Sequence, residues 1–160
     1  MAQTSTQSSG EEKMDKSAES RLILWNAALK MTTESPVFGW GFKSFYKLKG
    51  QYTETQVDES DNHNMYLYLG SQMGIPAVLL FALILWRMYR LGVRVYRESH
   101  ERFARVIGLS AAALAAGTLL VNMFGSRMVD ICVTVYFWIT LAVVARLSME
   151  IDAQQPTESV

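Results

Sequence analysis

The sequence predicts an all-α fold: a polytopic membrane protein, or part of one, with about three membrane-spanning helices behind a segment of short amphipathic helices. Half of the 160 residues are hydrophobic and only 19% are charged, which makes lipid a candidate solvent. The run from Val106 to Phe124 holds no charged side chain and comes close to the roughly twenty residues that a bilayer core requires. The 15 basic and 15 acidic residues are also polarised along the chain. Six arginines fall between Arg87 and Arg105 against Glu98 and Glu101, whereas residues 1–73 carry seven Lys or Arg and nine Asp or Glu.

Residues 1–17 are rich in Ser, Thr, Gln, Glu and Lys without apolar periodicity, the pattern of a disordered lead or a cut loop. From Ala18 to about Thr33 the spacing becomes helical, with Leu22, Trp25 and Leu29 on one stripe and Leu24, Ala28 and Met31 on the next. Ser35 and Pro36 end that helix, because proline disfavours helical geometry in the residue before it. Pro36 to Tyr46 then sets Gly39 and Gly41 among large aromatics, a compact turn whose neighbouring lysines suit a lipid headgroup layer. A polar loop runs from Gly50 to Asp61. The next helix is expected to start at Asn62, a competent N-cap. Residues 18–73 thus read as one polar, amphipathic domain.

Residues 74–147 read as the membrane domain. The charge-free run from Ile75 to Trp86 is short, and a first span over 75–95 requires Arg87 and Arg90 to snorkel to the interface. The second span, 106–124, places Gly108, Ala112 and Ala116 beside Ala111 and Ala115, a small-residue face suited to close helix packing. A third span over 129–145 follows too short a turn, Gly125 to Arg127, to be anything but the return leg of a hairpin. The arginine-rich loop between spans one and two predicts a cytoplasmic side there, with residues 1–73 and the Arg127 turn outside and the tail 148–160 inside. The first twenty residues hold no signal-peptide core, so export of the polar domain calls for spans ahead of it.

Function classes narrow accordingly. The single cysteine, Cys132, cannot form an intrachain disulfide and reads as a buried apolar filler. No glycine loop suited to cradling nucleotide phosphates is present, and two histidines with one cysteine make no metal-ligand set. Neither a metal nor another cofactor is expected, and nucleic acid is not an expected partner. The polar candidates on the outer side are Arg21, Trp25, Lys43, Lys47, Asp61, His63 and Asn64. His63 is the side chain suited to accept a proton near neutral pH, and Arg21 is suited to grip a phosphate or pyrophosphate on two oxygens. The plainer alternatives are a helix-start histidine without a role and an arginine snorkelling to headgroups. Arg127 is a further outer arginine, with an ion pair to Asp130 as its plainer role.

Four elements recur in one order: Arg21-x3-Trp25; Pro36-x2-Gly39-x-Gly41-x3-Phe45; His63-Asn64-x-Tyr66-Leu67; and Gly74-Ile75-Pro76 at the head of a membrane helix. Together, over about residues 17 to 92, they resemble the O-antigen ligase/polymerase family. The resemblance implies the C-terminal part of a bacterial inner-membrane glycosyltransferase of surface polysaccharide (lipopolysaccharide) biosynthesis. Such an enzyme moves a glycan from undecaprenyl pyrophosphate onto a sugar acceptor, lipid A core or a growing chain, without a metal. It implies Arg21 at the pyrophosphate and His63 at the acceptor hydroxyl. Trp25, Lys43, Asn64 and Arg127 are the substrate-binding candidates, Lys43 and Arg127 on their expected outer-side placement alone and not on the resemblance. Expected partners are the lipid-linked glycan, the acceptor, membrane lipid and the remaining spans of a longer or split enzyme. The competing expectation is a non-catalytic membrane subunit, either a transporter component or an interaction scaffold.

Overall fold

The computed structural model describes residues 4–54 and 61–154, with side-chain surroundings for 17–54 and 61–153. Among them the regular structure is helical: α1 (Thr4–Glu34), α2 (Ser44–Leu48), a 3-10 turn (Lys49–Gln51), α3 (Met65–Met73), α4 (Ile75–Glu98), α5 (Arg102–Val121), a second 3-10 turn (Arg127–Val129) and α6 (Ile131–Gln154). The chain divides into two compact units, residues 1–78 and 79–160.

In the first unit α1 is longer than its apolar pattern announces, starting at Thr4 instead of near Ala18. The stretch Glu11 to Ala18 is dominated by good helix formers, which carry a helix without any apolar stripe to signal it. Of the two stripes, the one with Leu24, Ala28 and Met31 is the core, joined by Ala27 and Phe45, while Leu22 and Leu29 stay exposed. At the C-terminus of α1 the Met31 carbonyl accepts from Ser35 N at 3.2 Å and from the Trp40 indole at 2.9 Å. These bonds satisfy an acceptor that the helix end would otherwise leave open. The Tyr52 hydroxyl donates to the Glu34 carboxylate, which holds the phenol above its ordinary pKa.

The segment after Pro36 lies against the C-terminal end of α3. Trp40 N donates to Ser71 O at 3.0 Å and Gly41 N to Gln72 O at 2.9 Å. Gly39 has φ +63°, and a Cβ there would stand 2.3 Å from the Gln72 carbonyl carbon, so only glycine fits. Gly74 is in the same position against Val37. Ile75 N then donates to Pro36 O at 2.7 Å, tying this segment to the first residue of α4.

In the second unit α4, α5 and α6 share one core built from Leu85, Met88, Val95, Ala104, Ala111, Ala115, Phe137 and Val144. Three helices, Ile75–Glu98, Arg102–Val121 and Ile131–Ala153, are long and apolar enough to cross a membrane. Their outward residues remain apolar, with Leu83, Leu109, Leu120, Val135 and Ile139 exposed, as befits a bundle solvated by lipid. The small-residue face of α5 meets α4: a Cβ on Gly92 would lie 2.6 Å from Gly108 O, and one on Gly108 would lie 2.7 Å from Gly92 O. Ala112 is buried at this contact, but Ala116, expected on the same face, is exposed, because the buried side of the helix continues through Ala111 and Ala115 instead. Arg94 of α4 reaches α6, donating to Asp152 and, at 3.3 Å, to Ser148 Oγ, while its Nε meets Glu98 at 2.9 Å.

Two local expectations are corrected here. Cys132 is exposed in the first turn of α6, since that helix turns Phe137 and Val144 toward the core instead. Asp130 does not form the expected ion pair with Arg127. Its Oδ1 caps α6, accepting from Cys132 N at 2.8 Å and Val133 N at 3.3 Å.

Candidate functional site

The first unit sets α1 and α3 side by side and parallel: Trp25 meets Asn62, and one to two turns on, Thr32 lies beside Gly70. Trp25 is at the edge of the buried stripe, so its ring is partly covered while its Nε1–H reaches across. It donates to the main-chain carbonyl of Asn62 at 2.8 Å. Asn62 is completely buried, and its Oδ1 accepts from Asn64 N at 3.1 Å. That closes an Asx turn, in which an asparagine side chain stands in for a backbone acceptor. Asn64 then caps α3, its Oδ1 accepting from Tyr66 N at 3.0 Å and Leu67 N at 3.2 Å. The cap expected at Asn62 is therefore at Asn64, because Asn62 is used one step earlier to make the turn.

His63 occupies the centre of this turn, half-buried, with φ +52°. A left-handed backbone costs an L-residue roughly 1–2 kcal/mol, and the flanking bonds at Asn62 and Asn64 hold it there. The imidazole is thus carried on a fixed backbone rather than on a helical turn. Burial pushes the Tyr66 phenol above its ordinary pKa, so this neighbour stays a neutral hydroxyl.

Arg21 is exposed on α1, one helical turn before Trp25, which places the two at about 6 Å between Cβ atoms. Trp25, His63 and Asn64 therefore meet at one end of the α1–α3 pair, with Arg21 one helical turn before Trp25 on α1. Lys43 does not join them. Its N–H donates to Gln72 Oε1 at the other end of α3, and the eight residues from Asn64 to Gln72 span about 12 Å of helix. Arg127 belongs to the second unit, where it is exposed and lies alongside Gly125. Among the described residues, no group of three His, Cys, Asp or Glu lies close enough to hold a metal ion.

Two polar residues of this region are not among the site residues expected from the sequence. Asn62 and Gln72 are buried, and the Nδ2 of one and the Nε2 of the other have no hydrogen-bond partner among the described residues. The Asn62-x-Asn64 spacing was a legible sign of an Asx turn leading into a cap. Gln72 left none, since its acceptor serves a backbone group 29 positions away.

A family model described as O-antigen ligase matches residues 1–82, covering all of this region and the first turns of α4. Neither the curated proteins nor the solved structures contain a match to the chain.

Proposed function

The chain belongs to the O-antigen ligase family, and on that premise we propose that it transfers a glycan from undecaprenyl pyrophosphate to a sugar acceptor. The acceptor belongs to bacterial surface polysaccharide, either lipid A core or a growing chain. In this reading residues 1–73 face the periplasm, 74–147 form the inner-membrane domain and 148–160 lie in the cytoplasm. The six arginines from Arg87 to Arg105 support that orientation, since short positively charged loops stay on the cytoplasmic side.

His63 accepts the proton of the acceptor hydroxyl as the oxygen attacks the anomeric carbon of the donor glycan. The bond from that carbon to the pyrophosphate oxygen breaks, and the electron pair leaves with the lipid pyrophosphate. Arg21 stabilises the added charge through its two-pronged guanidinium, an interaction that strengthens as the bond breaks. Trp25 lies on α1 one turn from Arg21 and is bonded to the turn that carries His63. Lys43, held on Gln72 at the far end of α3, acts away from the reacting bond.

The observation that carries this reading is the hydrogen bond from Trp25 to Asn62, which joins the helix bearing Arg21 to the turn bearing His63. The test is glycan transfer in membranes holding the natural-length protein, given a labelled polyprenyl-pyrophosphate donor and an acceptor. Transfer with matching release of polyprenyl pyrophosphate is expected. An absence of transfer under conditions where donor and acceptor both bind favours the non-catalytic subunit instead.

A further inference from the structure

The segment after Pro36 presents an apolar surface that nothing in the transfer chemistry uses. Val37, Phe38, Trp40, Phe42 and Tyr46 are all exposed, Phe38 at 85% and Phe42 at 75%. Lysines are interleaved with them. Lys43 Nζ stands 5.7 Å over the Phe42 ring and Lys49 Nζ 5.9 Å over the Tyr46 ring, while Lys47 is exposed between. A cluster of this size facing water is unusual and marks a contact surface.

The segment is also held rigidly. Trp40 and Gly41 donate to the end of α3, Gly39 has no room for a side chain, and the Lys43 N–H is fixed on Gln72. Rigidity means that the rings lose little freedom when they are covered. The nature of the cover follows from the link to α4. Pro36 O accepts from the N–H of Ile75, the first residue of a helix long enough to cross a membrane, and Ile75 and Pro76 extend the exposed apolar surface.

We infer that residues 37–46 form an interfacial anchor for an anionic bilayer, with Phe38 and Phe42 among the lipid glycerol and upper acyl groups and Lys43 and Lys47 at the lipid phosphates. Aromatic rings are favoured at the depth where a spanning helix leaves the hydrocarbon, and lysines there gain from anionic headgroups. The anchor fixes the depth of the α1–α3 pair whatever reaction that pair carries out, so it stands apart from the assignment of His63.

The experiment uses the full chain reconstituted in phosphatidylethanolamine/phosphatidylglycerol bilayers, with Cys132→Ala and a nitroxide placed through Phe42→Cys. Both sites are exposed, so neither change strains the fold. Power-saturation EPR should give high collision with oxygen and low collision with a water-soluble nickel chelate, the signature of headgroup or upper-chain depth. Collision with the chelate equal to that of a free nitroxide in buffer overturns the anchor. Shielding from both reagents overturns it in favour of a protein partner. Adding Lys43→Glu and Lys47→Glu should raise the label toward water in the anionic bilayer and leave it unchanged in pure phosphatidylcholine. Equal depth with and without the reversals in the anionic bilayer would contradict the part given to the lysines.

Discussion

The indole N–H of Trp25 and the main-chain carbonyl of Asn62 meet at 2.8 Å, and this one bond joins α1 to the turn in front of α3. Its acceptor belongs to a fully buried residue, so the bond has no ready substitute. Trp25→Phe keeps the ring and removes the donor. A buried carbonyl left without a partner costs about 1–3 kcal/mol, and the loss should concentrate on the His63 turn. Amide exchange at residues 62–65 should quicken while the Gly92–Gly108 contact keeps its protection. Unchanged exchange at the turn would show that the bond holds nothing in place.

Asn64→Ala removes the cap of α3 and should lower stability by about 0.5–2 kcal/mol, read as faster exchange in the first turn of that helix. Asn64→Asp retains the acceptor and should restore protection. The pair also separates capping from substrate contact. If Asn64 acts through its cap alone, Asp restores transfer as well as protection, whereas protection without transfer would assign its amide to the substrate.

At the contact of α4 with α5, Gly108→Leu or Ala112→Leu forces side-chain atoms into a place where even a Cβ on residue 108 comes within 2.7 Å of Gly92 O. Overpacking of this kind costs typically about 1–3 kcal/mol or more, because backbone has to move. Both variants should lower membrane-inserted protein and its melting temperature in detergent. Leu109→Ala, on the exposed side of the same helix, should leave both near wild type. Equal tolerance on the two faces would contradict the packing.

The membrane helices were legible because an apolar run long enough to cross a bilayer is stable chiefly in lipid, and the small residues at 108, 111, 112 and 115 announced the buried face of α5. Their ends were less so. α4 runs to Glu98 and α6 to Gln154, and near those ends Arg94 and Asp152 pair across the two helices, a contact between positions 58 apart that no local pattern contains. In the site, the residue types were legible but their arrangement was not. Asn62 and Asn64 are equally good caps by type, and what decides between them is that Asn62 Oδ1 is taken by Asn64 N in the turn, leaving Asn64 to cap. Lys43 looked like a site residue because it is a lysine near aromatics. Its separation from His63 depends on which end of α3 the Pro36 segment meets, and that is set by Gly39 and Gln72. The stretch from residue 55 to 60, including Asp58 and Glu59 near His63 in sequence, lies outside the described residues.

Arg21→Lys preserves charge and removes the two-pronged grip, so transfer should fall strongly while folding, read by exchange at the Trp25–Asn62 contact, stays normal. Restoration of full transfer by lysine would reduce Arg21 to a general positive charge.

The most direct measurement is glycan transfer by His63→Ala at the natural length in membranes, with abundance and exchange protection of α3 checked alongside. A general base contributes typically about a hundredfold to ten-thousandfold in rate, so transfer should fall by that order in protein that is present and folded. Wild-type transfer by the folded His63→Ala protein would contradict the catalytic account.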